Sequence, residues 1–207
     1  MVAVAQHPNI KLYSYSEVVG ISGYIGNFAV TIKEKAKYVD YDKCTGCGLC
    51  ETKCPSKVKS EFDLGLGERH AIYKAFPQAV PNKPVIDAKN CRKFTTGKCG
   101  ICEKICPTQA INYEDQDELE TIEVGAIVVA TGFEVEPGKL YGEYGYGGHP
   151  DLITGMQFER MVNVSGPTGG HIVRPSTWDP KKQEGEEPKS VVFIQCCGSR
   201  DEEKGVP

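Results

Sequence analysis

The strongest constraint on this chain is a run of four cysteines closed by a proline, Cys44-Thr-Gly-Cys47-Gly-Leu-Cys50-Glu-Thr-Lys-Cys54-Pro55. Three uses of such a run compete: a disulfide framework, zinc and iron–sulfur ligation. Disulfides require an oxidising compartment. The chain opens Met1-Val2-Ala3-Val4-Ala5-Gln6-His7-Pro8, with no basic n-region and a proline before any apolar h-region. Its longest nearly apolar stretch, Gly125 to Phe133, is far shorter than the ~20 residues that span a bilayer. The expectation is a cytoplasmic protein without a membrane span, its thiols reduced and open to a metal. Structural zinc takes four tetrahedral ligands, commonly as two C-x2-C pairs, and this run has one cysteine too many at that spacing. C-x2-C-x2-C-x3-C-P suits a [4Fe–4S] cubane. Three thiolates reach three corners, Gly46 and Gly48 let the backbone approach and donate N–H bonds to sulfur, and Pro55 turns the chain.

A second run follows: Cys91, then Cys99-Gly-Ile-Cys102-Glu-Lys-Ile-Cys106-Pro107. It repeats C-x2-C-x3-C-P behind a stretched spacer, Arg92 to Lys98. The leads match as well: Tyr38-Val-Asp-Tyr-Asp-Lys-Cys44 parallels Val85-Ile-Asp-Ala-Lys-Asn-Cys91, a period of 47 residues. In two-cluster bacterial-type ferredoxins the fourth cysteine of each run ligates the other cluster. That rule assigns Cys44, Cys47, Cys50 and Cys106 to one [4Fe–4S] cluster and Cys91, Cys99, Cys102 and Cys54 to the other. Lys93 and Lys98 are either solvated loop charges or an offset to cluster charge. The longer link from Glu61 to Pro81 carries Phe62, Tyr73 and Phe76, candidates to cover the clusters or dock a partner, or simply members of a surface loop. His70 reads as a loop histidine rather than a ligand.

The flanks read differently. Val18–Ile21 and Phe28–Lys33 form a hairpin about Gly26-Asn27. Glu120 to Gly132 contains the β-branched run Ile127–Val129, expected as a strand buried on both faces, ending in Ala130-Thr131-Gly132. This pattern resembles the flavin-binding half of two-dinucleotide flavoproteins, where a β-meander returns to an Ala-Thr-Gly strand end beside FAD. The ferredoxin would then be inserted between hairpin and return strand, a cheap arrangement where loop ends are close. No G-x-G-x-x-G phosphate loop occurs. A flavin fold without that loop is incomplete, so the expectation is that these 207 residues are a piece of a longer polypeptide. Further on, Thr154-Gly-Met-Gln157 has the form of a capping box, with Phe158, Met161 and Val162 at helical spacing as core. Ser165 to Gly170 reads as a flexible loop without the strand–helix context for phosphate. Lys189 to Gln195 reads as a buried strand opening a second dinucleotide-type domain. It leads to Cys196 and Cys197, expected as one cluster ligand plus a spare, a redox pair, or small buried hydrophobes.

In order, the hairpin, C-x2-C-x2-C-x3-C-P, Glu68-Arg69-His70-Ala71-Ile72-Tyr73, Phe76 to Pro81, C-x2-C-x3-C-P, Val128 to Phe133, Ser165 to Gly170 and Gln195-Cys196-x-Gly198-Ser199-Arg200-Asp201 resemble a known family. It is the iron–sulfur flavoprotein family that forms the A subunit of heterodisulfide reductase. The resemblance implies an α+β chain with three segments: 1–37 a hairpin of the flavoprotein module, 38–116 an inserted two-cluster ferredoxin, and 117–207 the rest of a thioredoxin-reductase-like FAD module. It implies FAD beside Ala130, Thr131 and Gly132, and Cys196 as a ligand of another cluster. The implied reaction is flavin-based bifurcation serving reduction of the CoM–CoB heterodisulfide, or a related disulfide or quinone pathway in sulfate reducers. Implied partners are the other reductase subunits, a hydrogenase or formate dehydrogenase input subunit, and ferredoxin. The segment alone would have no turnover. A stand-alone ferredoxin-type carrier and a thiol–disulfide oxidoreductase using Cys196 and Cys197 are the alternatives. With 24 basic against 28 acidic residues the net charge is -4, which argues against a nucleic-acid partner.

Overall fold

The computed structural model describes residues 2–133, 135, 144–197 and 200. The chain divides into two compact units, Met1–Val58 with Arg69–Ala130, and Lys59–Glu68 with Thr131–Pro207.

In the first unit a short helix, α1 (Val2–Ala5), precedes the hairpin β1 (Ser16–Tyr24) and β2 (Asn27–Glu34). The turn sits one residue earlier than its sequence signal: Tyr24 pairs with Asn27, so Ile25 and Gly26 make the bend and Gly26 takes φ +89°. Val30 and Ile32 alternate inward with the strand period of two. Between β2 and its next neighbour come α2 (Leu49–Lys53), β3 (Lys57–Lys59), β4 (Glu68–His70), β5 (Ile72–Tyr73), β6 (Val85–Ile86), α3 (Arg92–Thr96) and α4 (Ile101–Ile105). β7 (Glu118–Val124) then returns antiparallel to β2, giving the order β1-β2-β7. Glu34 faces Glu118, so residues 35–117 leave and re-enter at one end of the sheet. Asp115 and Asp117 clamp that neck. The Asp115 carboxylate accepts from the Lys37 and Tyr38 amides at 2.8 and 2.9 Å, and Asp117 accepts from the Ala36 amide at 2.9 Å.

The return strand stops short of its expected end. β7 pairing ceases at Val124, and Val128 and Val129 are 90% and 77% exposed, outside any strand. An apolar β-branched run becomes a doubly buried strand only where neighbours bond and cover it. Among the described residues nothing pairs with 126–132.

The two cysteine runs share one core. Val39 bridges Ile111 and β5 pairs with β6 in the same crossed sense, each lead-in meeting the tail that follows the other cysteine run. The match extends to single bonds: the Asp40 amide donates to the Ala110 carbonyl and the Asp87 amide to the Ala71 carbonyl, both at 2.7 Å. Val39, Ala71, Ile72, Ile86, Cys91, Cys102 and Ala110 form the buried cluster. α2 packs on α4.

In the second unit, α5 (Gly155–Val162) starts from the expected capping box. The Gln157 amide donates to Thr154 Oγ1 at 3.2 Å, and the Thr154 amide to Gln157 Oε1 at 2.9 Å. Met161 is buried, but Val162, expected in the core, is 41% exposed. The inward-facing polar residue is Arg160, whose Nε and Nη2 donate to Asp63 at 3.1 and 3.0 Å while its guanidinium lies over Phe62. Ser165 to Gly170 is wound tightly rather than loose: a Cβ on Gly166 would stand 1.8 Å from the Arg160 carbonyl oxygen, and buried Thr168 donates its hydroxyl to the Met161 carbonyl. Lys189 to Gln195 is not a strand; Val191 to Ile194 are 49–84% exposed, although Phe193 meets Phe158 edge-on. The expected strand has no partner among the described residues. Gly198, Ser199 and Asp201 of the sequence pattern lie outside the described residues.

Candidate iron–sulfur site

Local geometry at each cysteine run follows from glycine and proline. Gly46 and Gly48 take φ +71° and +80°, the left-handed turns that glycine adopts at no steric cost. A Cβ on Gly46 would sit 2.5 Å from the Asn82 carbonyl oxygen, so the loop passes too close to that backbone for any side chain. The Gly46 amide donates to Cys44 Sγ at 3.4 Å. α2 and α4 both end one residue before Cys-Pro, and Cys54 and Cys106 take extended backbone, as residues preceding proline do. Each helix thus carries one cysteine within it, Cys50 or Cys102, and turns the next out of the helix at its C-terminal end. The stretched spacer folds as the extra helix α3, closed by Gly97 at φ +71°. The sequence carried a signal for it in Gly97, at the usual place for a helix stop.

The eight cysteines line two cavities. One is bordered by Cys44, Cys47, Cys50 and Cys106, with Val39, Leu49, Ala110 and Ile111. The other is bordered by Cys54, Cys91, Cys99 and Cys102, with Ile72, Ile86, Ile101 and Tyr113. Among the described residues no three metal-ligating side chains converge closely enough to share a single ion. The thiols stand around a space instead, a donor set that fits a multi-atom group bridging four sulfurs. Donors to sulfur are in place: the Ala110 amide reaches Cys106 Sγ at 3.3 Å, and Thr108 Oγ1 lies 3.6 Å from it. Cys102 Sγ lies 3.0 Å from the Tyr113 hydroxyl.

The apolar walls act on the thiols. Burial, helped by the Glu51 carboxylate, pushes Cys50 up to about 12. Burial also pushes Cys102 up. At Cys106 burial is outweighed by bonds from the Ala110 amide and Thr108, which hold it below its ordinary value. Buried thiols such as Cys50 and Cys102 ionise readily only when a cation balances them, so a metal group held by them would displace their protons.

Other sequence candidates lie elsewhere. Phe62, Tyr73, Phe76 and His70 line neither cavity. Tyr73 lies beneath the Arg69 guanidinium at 3.8 Å. Lys93 borders the second cavity and sits over the Tyr113 ring, whereas Lys98 is exposed. Cys196 is exposed and Cys197 half-buried, and neither lines either cavity. Ala130, Thr131 and Gly132 are exposed coil, and a Cβ on Gly132 would meet nothing within 4 Å. They form no cradle for FAD among the described residues. Tyr113 is the residue that sequence reasoning missed. It lies seven residues beyond Cys106, whereas the corresponding position after the first run, Lys74, lies twenty beyond Cys54, so the repeat is out of register there.

Residues 37–59 match the 4Fe-4S binding domain family. The chain is 49% identical over 205 residues, 99% of its length, to the iron-sulfur A subunit of CoB–CoM heterodisulfide reductase from Methanocaldococcus jannaschii. It is homologous from end to end to a segment of the heterodisulfide reductase A subunit. It is also 46% identical over its whole length to the A subunit of the H2:CoB–CoM heterodisulfide,ferredoxin reductase of Methanothermobacter thermautotrophicus. To the A subunit of the H2/formate:CoB–CoM heterodisulfide,ferredoxin reductase of Methanococcus maripaludis it is 48% identical, again over its whole length. The chain spans 29–30% of the length of these heterodisulfide reductase relatives. No helix among the described residues is long and apolar enough to cross a membrane.

Proposed function

We propose that this chain is the two-cluster electron-transfer part of a heterodisulfide reductase A subunit. The observation that carries the proposal is the partition of eight cysteines into two cavities, each drawing three sulfurs from one run and one from the other. Cys44, Cys47, Cys50 and Cys106 would hold one [4Fe–4S] cluster, and Cys91, Cys99, Cys102 and Cys54 the second. When bound, such clusters take up and release single electrons at potentials set by hydrogen bonding, charge and burial. The chain supplies the rest. Thiolates fix each group, Val39, Ile72 and Ile86 keep water away, and the amides of Gly46 and Ala110 steady sulfur charge. α2 against α4 places both quartets on one core, and residues 38–116 serve as an inserted ferredoxin domain.

For the longer polypeptide we propose the reaction that the relatives' names print, reduction of the CoB–CoM heterodisulfide. It would take place in a cytoplasmic complex with the other reductase subunits, a hydrogen- or formate-linked input subunit, and ferredoxin. FAD belongs to that whole-protein proposal. Because Ala130 to Gly132 make no flavin cradle here, no step in this chain runs through it.

Anaerobic reconstitution tests the assignment: about eight iron and eight sulfide per chain are expected. Cys54→Ser should alter the spectrum of the cluster that Cys99→Ser alters, and Cys106→Ser that of the cluster affected by Cys47→Ser. Four iron per chain, stoichiometric zinc, or the opposite pairing would overturn it.

A further inference from the structure

We infer, on the two-cluster reading above, that Tyr113 donates a hydrogen bond to the Cys102 thiolate and raises the reduction potential of the cluster in the Cys54–Cys91–Cys99–Cys102 cavity. The Tyr113 hydroxyl stands 3.0 Å from Cys102 Sγ, inside the lining of that cavity. Either atom of this pair can donate while cysteine is a thiol. Once the sulfur ligates a metal it carries no proton, and the phenol becomes the donor. A donor to a ligand sulfur stabilises the more negative, reduced state, and hydrogen bonds to sulfur are among the levers that set cluster potentials.

The hydroxyl is well held. The Tyr113 ring meets Phe94 edge-on with centroids 5.7 Å apart, and Phe94 in turn packs on Tyr38 at 4.6 Å. Lys93 Nζ lies 5.2 Å from the Tyr113 ring centroid, and with Arg92 it also borders the cavity. Phe94, Lys93 and Arg92 all belong to α3, the helix made by the stretched spacer. The spacer therefore builds a roof that fixes one phenol against one ligand. The first half has neither part. The residue two beyond Ile72, as Tyr113 is two beyond Ile111, is Lys74, whose ammonium turns to Glu51 at 3.5 Å. Tyr113 is thus a tuning residue of one cluster, and an electron is held more firmly under it than it would be without the hydroxyl.

The test is an EPR-monitored redox titration of the reconstituted 207-residue chain, with iron and sulfide determined in parallel. Signals are assigned with Cys99→Ser for the second quartet and Cys47→Ser for the first. Tyr113→Phe keeps the ring and removes only the hydroxyl. It should shift the midpoint of the second-quartet signal to more negative potential and leave the first in place, with iron still near eight. Tyr38→Phe removes a hydroxyl from the same stack that bonds to no cysteine among the described residues, and it should move neither signal. An unmoved second signal in Tyr113→Phe, a shift in the first, or iron falling to four in that variant would overturn the inference. Iron near four in the unsubstituted chain would instead overturn the two-cluster reading itself.

Discussion

Replacing Asp87 by Asn should destabilise the first unit by about 3 kcal/mol, the low end of what breaking a buried ion pair costs. Asp87 opens the second cysteine run at the position that Asp40 holds in the first. Its Oδ2 accepts from Arg69 Nη2 at 3.0 Å and from the Asn90 side-chain amide at 2.8 Å. The side chains of Arg69 and Asp87 are only 11% and 14% exposed, and Arg69 also covers the Tyr73 ring. Asparagine keeps the shape and one acceptor oxygen but removes the carboxylate charge that faces the guanidinium. At ~2–4 °C per kcal/mol for a chain of this size, Tm should fall by ~6–12 °C. Cluster loss makes unfolding irreversible, so anaerobic scans of the loaded protein must share one heating rate. The pH dependence has a definite sign. Burial alone would push the Asp87 carboxyl up, but the Asn90 and Arg69 bonds outweigh it and hold the group below its ordinary value. A lowered carboxyl contributes fully above its unfolded value of ~3.9 and loses that contribution as pH falls through the folded value. The penalty should therefore stay constant from pH 8 to pH 5. Arg69→Met together with Asp87→Asn should cost less than the two singles added, because each single already removes the interaction the pair shares. A Tm drop under ~3 °C, or a penalty that fades between pH 8 and pH 5, would refute the pair's role.

Gly46→Ala should abolish the first cluster, with iron falling toward four and the second cluster's signal intact, because the added Cβ meets the Asn82 carbonyl at 2.5 Å. Gly97→Ala, also at positive φ but with open space around it, should keep eight iron and cost only the ~1–2 kcal/mol of the left-handed backbone. Thr154→Ala removes the capping box of α5 and should lower stability by ~1 kcal/mol. Chemical denaturation of the second unit's helix signal checks it.

How much was legible in advance differs between the two halves of the chain. The cysteine loops were legible because their geometry is local: two-residue spacings, Gly46 and Gly48 at positive φ, and a proline that ends each helix depend on near neighbours only. The hairpin and its return strand were legible from alternation and β-branching as far as Val124. The same apolar run misled beyond it, since Val128 and Val129 are apolar enough for a buried strand and yet have no partner among the described residues. Val191 to Ile194 misled in the same way. Apolarity records what a segment would bury, but burial requires a second surface, and that surface is not encoded in the segment.

The sequence by itself determined the donor set: eight thiols in two runs that repeat C-x2-C-x3-C-P, with matching leads 47 residues apart. Only the tertiary structure decided what surrounds each thiol. α2 against α4 put Cys54 and Cys106 into opposite cavities. The spacer helix, absent from the other half, fixed Tyr113 against Cys102, and Asp63 met Arg160 across 97 residues of chain. Spacing along a chain sets which ligands can wrap one group. Contacts between distant segments set the dielectric, the hydrogen bonds and the charges around that group, and no local pattern carries them.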